Sequence, residues 1–212
     1  LEGVVRCPDK SAPLEGIYLL CRWARGPDRY WTDSARTNKK GEFVFPAVPA
    51  GLLSLSCATD PSLPWVAKLD KQIQVAREKK TARVTVQLKR GIKVYGKVVE
   101  YETGKPIPDV CVSSYSVPMV SPARTDNNGV YSFYALPGKV TIYVTPSGEA
   151  AARYVFQGVG LHTINVTSGS KAVKVPPFRL KRAAALQGVV VDTQGKPVPG
   201  ARIHWTSITG LY

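Results

Sequence analysis

The segment Arg22-Trp-Ala-Arg-Gly-Pro-Asp-Arg-Tyr-Trp31 gathers aromatic rings and guanidinium groups in one short stretch between apolar, alternating flanks. A flat ring stacks on a sugar while an arginine fork holds a carboxylate or sulfate, so Arg25, Arg29, Tyr30 and Trp31 are the candidate ligand-binding residues. The same rings have a plainer use. Trp23 shares the parity of Ile17, Leu19 and Cys21 and is expected to face a core, whereas Tyr30 and Trp31 suit either an exposed platform or a buried plug. Trp65, beside Pro64, is placed to cover a link between modules.

Other chemistry is thinly supplied. There are 2 histidines, His162 and His204, and neither has a metal-ligand partner at helical or hairpin spacing. A zinc hydrolase needs clustered ligands and a general base, and that inventory is missing. No serine stands in a Gly-x-Ser-x-Gly elbow, and no glycine-rich phosphate loop follows a strand and opens a helix. Asp126-Asn-Asn-Gly129 could supply hard oxygens to calcium, but it also has hairpin-turn chemistry, and the matching Asn38-Lys-Lys-Gly41 carries two cations and no carboxylate. The turn reading is preferred. The chain is read as non-enzymatic, with no cofactor and no metal.

What positions these residues is a repeat. Gly188-Val-Val-Val-Asp-Thr-Gln-Gly-Lys-Pro-Val-Pro restates Gly96-Lys-Val-Val-Glu-Tyr-Glu-Thr-Gly-Lys-Pro-Ile-Pro, and a degenerate copy opens the chain at Gly3-Val-Val-Arg-Cys7. Further landmarks keep their order. Thr37-Asn-Lys-Lys-Gly-Glu-Phe-Val-Phe45 answers Thr125-Asp-Asn-Asn-Gly-Val-Tyr-Ser-Phe133, and Val86-Gln-Leu-Lys-Arg90 answers Phe178-Arg-Leu-Lys-Arg182. The boundaries expected are 1–90, 91–182 and 183–212, the last holding only the first strands of a third copy.

Within a copy, Val110, Val112 and Ser114 alternate with Cys111 and Ser113, and Val140, Ile142 and Val144 with Thr141 and Tyr143. Seventeen prolines and 18 glycines punctuate the chain, and no stretch keeps an apolar 3.6-residue period for three turns. Gln72 to Arg83 reads as a polar loop entering a basic strand. A unit of about 90 residues with this pattern is the size of an antiparallel sandwich of about seven short strands, so the fold class expected is all-β, in tandem sandwiches.

The motifs Gly-x-Val-x-Asp-x-x-Gly-Lys-Pro-x-Pro-Gly-Ala, Thr-Asp-x-x-Gly-x-Tyr/Phe-x-Phe and Leu-Pro-Gly resemble the carboxypeptidase regulatory-like domain, a transthyretin-like module. The likeness covers the second copy well, the first loosely and the third over its first two strands. It implies a prealbumin-like seven-stranded sandwich, arrayed in tandem on large bacterial envelope proteins in an extracytoplasmic setting. Isopeptide-bonded sandwiches of Gram-positive adhesins are a structural relative, and Lys97 or Lys93 with Asn165 could be drawn as such a cross-link, although a solvated lysine is the preferred reading.

Composition agrees with a strand-rich globular protein, at 44% hydrophobic residues. The chain starts at Leu1 without a signal peptide, has no apolar run long enough to span a bilayer, and stops at Tyr212 within the third copy, which suggests a longer parent. Cys7, Cys21, Cys57 and Cys111 do not recur with the repeat and read first as small core hydrophobes, with a Cys21–Cys57 bridge as the alternative. Asn165-Val-Thr167 is a glycosylation sequon, of consequence only in a eukaryotic secretory host.

The net charge of +14 favours an acidic partner: an anionic polysaccharide, a phosphate-bearing lipid face or an acidic protein surface. Nucleic acid is disfavoured, because the cations follow no basic helix and no aromatic RNA-binding sheet pattern. Two functions from different classes follow. One is a structural spacer and protein-binding array whose partners are neighbouring modules of the same polypeptide. The other is a carbohydrate-binding module using the Trp31 loop. In a third arrangement the copies position an attached peptidase or sensor domain.

Overall fold

The computed structural model describes residues 1–24, 30–68, 72–76, 81–114, 122–155, 161–184 and 187–203. Contacts divide the chain into a unit from Leu1 to Arg182 and a second from Ala183 to Tyr212.

The first half of the larger unit holds eight strand segments among the described residues: β1 (Glu2–Arg6), β2 (Tyr18–Ala24), β3 (Tyr30–Arg36), β4 (Glu42–Val44), β5 (Gly51–Ala58), β6 (Trp65–Lys68), β7 (Ile73–Val75) and β8 (Arg83–Arg90). They form two sheets, in the orders β4-β1-β8-β6 and β3-β2-β5-β7. The second half brings β9 (Ile92–Glu100), β10 (Val110–Ser114), β11 (Ala123–Arg124), β12 (Val130–Ala135), β13 (Gly138–Pro146), the helix α1 (Gly148–Arg153), β14 (Tyr154–Val155), β15 (Leu161–Val166), β16 (Ala172–Lys174) and β17 (Phe178–Arg182). Its sheets run β12-β9-β17-β14, with β16 also on β9, and β11-β10-β13-β15. When β16 and β17 are counted as one strand interrupted at Val175-Pro176-Pro177, the two halves have the same strand order. Proline cannot donate to a ladder, which accounts for the interruption.

The chain is all-β, as the alternation requires, with three details that local pattern does not carry. The first and last strands of each copy are parallel neighbours: Glu2 through Arg6 pair with Arg83 through Gln87, and β9 pairs with β16 at Lys93–Tyr95 and with β17 at Val98–Glu100. The helix α1 is a turn and a half, exposed except at Ala150, whose Glu149-Ala-Ala-Ala-Arg153 consists of good helix formers, too short to show a three-turn period. The stretch read as a polar loop before β8 contains the short edge strand β7.

Inward positions build two separate cores. Val5, Phe43, Phe45, Val86 and Leu88 from one sheet meet Leu19, Cys21, Leu53, Leu55 and Cys57 from the other. In the second half Val94, Val98, Phe133 and Phe178 meet Val110, Val112, Val140, Ile142 and Val144. Burying each such side chain contributes about 1.5–3 kcal/mol. Gly3 and Gly96 lie beneath rings of the neighbouring strand: a Cβ would stand 2.3 Å from Phe43 in the first case and 2.6 Å from the Tyr131 hydroxyl in the second.

The shared motifs act as turns with a buried clamp. Thr125 Oγ1 accepts the Val110 N–H at 2.9 Å and donates to Ile107 O at 2.8 Å; Thr37 Oγ1 accepts the Ile17 N–H at 2.9 Å and donates to Leu14 O. Asp126 Oδ1 accepts the N–H groups of Asn128 and Val130, as Asn38 Oδ1 does for Lys40 and Glu42, so turn geometry accounts for this loop. Gly41 and Gly129 follow with φ of 76° and 67°, and their carbonyls accept the Val5 and Val98 N–H groups.

Cys21 and Cys57 are buried free thiols. Cys21 pairs with Leu55 and Cys57 with Leu19, so the two sit two residues out of register on adjacent strands, and the alternative of a bridge gives way to the core reading. Burial pushes the Cys57 thiol up to about 12. Lys93, Lys97 and Asn165 are all exposed, on strands of different sheets, as the solvated-lysine reading requires.

In the unit from Ala183, the turn of the third copy repeats that of the second. Val191 bridges Pro197 as Val99 bridges Pro106, and the Val198 N–H donates to Val190 O as Ile107 does to Val98 O. Val189, Val190, Val191, Val198 and Ile203 are exposed there.

Candidate functional site

Two places collect side chains beyond those that the cores need. The first is the hairpin between β2 and β3. Trp23 pairs directly across from Trp31, and Ala24 across from Tyr30. Both tryptophans are half-buried against the first core, and Trp23 Nε1 lies 3.0 Å from where a Gly51 Cβ would stand. Tyr30 has the opposite parity and is 77% exposed. Of the four sequence-level candidates, the structure therefore gives Tyr30 to solvent and Trp31 to the core side. Arg25 and Arg29 lie outside the described residues, as do His204 and Trp205.

The second place is the joint between the two sandwiches, which sequence reasoning missed as a site. β8 ends at Arg90 and β9 begins at Ile92, leaving one residue between them. That residue, Gly91, donates its N–H to Pro64 O at 2.8 Å. A Cβ on it would meet Val66 Cγ2 at 2.7 Å, Tyr134 Cβ at 2.9 Å and the Ala135 nitrogen at 3.2 Å. Val66 belongs to β6 of the first sandwich and Tyr134 and Ala135 to β12 of the second, so only a residue without a side chain lets the two close on each other there. The visible signal is a lone glycine between Lys89-Arg90 and the alternation of Ile92-Lys-Val.

Beside the joint lies a cleft of about 730 Å³ whose lining includes Tyr18, Arg36, Asp60, Trp65, Ser114 and Tyr143. Arg36 donates to Gly16 O at 2.9 Å and holds its guanidinium 5.6 Å from the centre of the Tyr18 ring. Asp60 is occupied by the Ser62 N–H and hydroxyl, which hold its carboxyl below the usual range. Ser114 Oγ is buried with no hydrogen-bond partner among the described residues. Among the described residues the one histidine, His162, is on β15 and outside the cleft lining, with its ring 4.4 Å from that of Phe178. Among the described residues, no three His, Cys, Asp or Glu side chains come together as a metal site.

A buried acid closes the far end of the second sandwich. Glu100, 1% exposed at the end of β9, is bound by Arg182 Nε and the Thr103 hydroxyl. These partners, Arg182 first, hold its carboxyl below the usual range. Val5 and Val98 make equivalent bonds, so the corresponding residue of the first copy is Cys7, where the acid is absent.

No family model matches the chain, and no curated protein matches it in sequence. Among solved structures it is similar to the Bacillus anthracis TIE protein, with 18% identity over 93% of this chain and a TM-score of 0.38. It is also similar to GBS52, the minor pilin of Streptococcus agalactiae (11% identity, 90% of this chain and 99% of that one, TM-score 0.33), and to the shaft pilin SpaA from Lactobacillus rhamnosus GG (10%, 88% and 98%, TM-score 0.33). The chain spans 39% of the TIE structure. At these values the likeness bears on neither partner nor activity. No described helix is long and apolar enough to cross a membrane.

Proposed function

We propose that this chain is a non-catalytic spacer and interaction array, made of sandwich modules at 1–90 and 91–182 with the opening strands of a third at 183–212, in an extracytoplasmic protein of the cell surface. The observation that carries this is mechanical. In each module the entering and leaving strands are parallel neighbours, so tension applied through the chain pulls β1 and β8 past each other along their axes. Their ladder bonds then share the load and resist shear together, whereas a hairpin pulled at its open end loses bonds one at a time. A one-residue joint passes that tension directly from β8 to β9. The motifs shared with carboxypeptidase regulatory-like domains support the same reading, since what they specify are turns and core positions.

Single-molecule pulling tests it. Stretching from the two ends of the larger unit is expected to give two discrete unfolding events at forces well above those for the same modules pulled across a hairpin, such as β2–β3. End-to-end forces no higher than hairpin forces would refute the spacer role. The sugar-binding reading for the first module rests on the exposed ring of Tyr30, and loss of polysaccharide binding in Tyr30→Ala would be its sign.

A further inference from the structure

The register of the second module sorts its cations onto one surface. On β9, Val94, Val98 and Glu100 face inward, so Lys93, Tyr95, Lys97 and Val99 face outward. β16 sets Lys174 beside Tyr95, and β17 sets Arg179 beside Val99 with Lys181 two residues on. From the other side β12 places Ser132 beside Tyr95 and Tyr134 beside Lys93. Lys93, Lys97, Lys174, Arg179 and Lys181 are all exposed, and the two tyrosines are half-buried between them. The carboxylate these strands carry, Glu100, points the other way and is bound to Arg182. Lys93 and Lys97, four residues apart, stand about 13 Å apart along β9, Arg179 and Lys181 about 7 Å apart along β17, and Lys174 and Arg179 lie on the diagonals to the β9 lysines at about 8 Å.

The first module provides an internal control. The same outward face there has Arg6, Arg83 and Lys89, but also Glu2 and Glu42, and Arg83 lies 3.6 Å from Glu2. Among the described residues no ion pair joins Lys93, Lys97, Lys174 or Arg179 to a carboxylate. A face that collects cations of one sign raises the local positive potential and favours an anion laid across it.

We propose that this outward face of the second module binds a linear acidic polysaccharide with a carboxylate on each sugar. Repeated carboxylates match a two-dimensional grid of mostly lysine point charges, which hold an anion without demanding forked geometry. The hydroxyls of Tyr95, Tyr134 and Ser132 lie among the cations, where they can bond to sugar hydroxyls. Single-stranded nucleic acid is the weaker fit, because base stacking needs ring faces that stand free, and these rings are half-buried. The site is separate from the Tyr30 hairpin and independent of the spacer role.

The test is titration of the full chain with polygalacturonate, with dextran as the uncharged comparison and an oligodeoxythymidylate as the nucleic-acid comparison. Polygalacturonate is expected to bind and dextran not, with affinity falling at least tenfold, by the rule for polyanions, as NaCl rises from about 50 to about 200 mM. Lys93→Glu with Lys97→Glu should weaken binding at least about tenfold, whereas Arg6→Glu with Arg83→Glu, an equal change in net charge, should weaken it no more than about twofold. Circular dichroism would establish that both variants remain folded. Equal losses in the two variants would reduce the effect to net charge and overturn the proposal. So would tighter binding of the oligonucleotide, loss of binding in Tyr30→Ala alone, or no binding of polygalacturonate at low salt.

Discussion

The two sandwiches have one strand order and two different surfaces. Thr37 and Thr125 make the same pair of buried bonds, and Gly3 and Gly96 lie under the same ring position. Outside the core they part. The first copy has a seven-residue β3 with an exposed tyrosine and a sheet face of mixed charge; the second has a two-residue β11, a buried Glu100 bound by an exposed Arg182 and a sheet face of one sign. What repeats is what the fold needs, and what differs is where function has room to enter.

The sharpest way to break the equivalence is at the crowded glycines. Gly3→Ala and Gly96→Ala should each cost about 3 kcal/mol or more by forcing a ring out of its core, seen as a fall in the denaturation midpoint of the module that carries the change. Gly188→Ala, which has nothing within 4 Å, should leave stability unchanged in the same experiment.

Next in size are the clamps. Thr37→Val and Thr125→Val keep the shape but leave a buried N–H and C=O unpaired, for an expected loss of about 2–3 kcal/mol in either copy. A large effect in one copy and none in the other would mean that the shared motif has drifted in role. At the joint, Gly91→Ala should cost about 1–2 kcal/mol, with chemical-shift changes confined to Val66, Tyr134 and their neighbours.

A smaller asymmetry is expected in acid. Glu100 has a lowered carboxyl pKa in the fold, so the folded state binds fewer protons there. Its contribution is complete above the unfolded carboxylate pKa of about 4.3 and is lost as pH falls through the lower folded value. Glu100→Gln should therefore destabilise the second module at neutral pH, with the gap from the parent protein closing below about pH 4. Chemical denaturation across that range measures it. A Cys7→Ser change at the matching place should show no such pH dependence.

Much of this fold is readable from one chain, because turn residues and two-residue alternation are local signals. The Gly-Lys-Pro-x-Pro and Asp-Asn-Asn-Gly turns, the inward parity of Val110 and Val112 and the core side of Trp23 all follow from neighbours in sequence. What does not follow is non-local. Lys93, Lys174 and Arg179 come from three segments and share a face only through the parallel pairing of β9 with β16 and β17. Trp31 and Tyr30 could not be told apart until the β2–β3 register gave them opposite faces. The joint was legible as a boundary that Trp65 could cover, and Trp65 does line the cleft beside it, but the packing of Gly91 against Val66 and Tyr134 was not, since Gly91 has no sequence partner that would announce them.

The central claim is that two copies of one sandwich are locked in series at Gly91. Backbone residual dipolar couplings test it most directly, measured on the isotopically labelled chain in one alignment medium and fitted separately for 1–90 and 91–182. The locked joint predicts that both sets give one alignment tensor, equal in magnitude and orientation, and that a flexible insert after Gly91 splits it into two. Two tensors of different magnitude in the parent protein would contradict it, because modules that reorient independently cannot pass tension through a rigid joint.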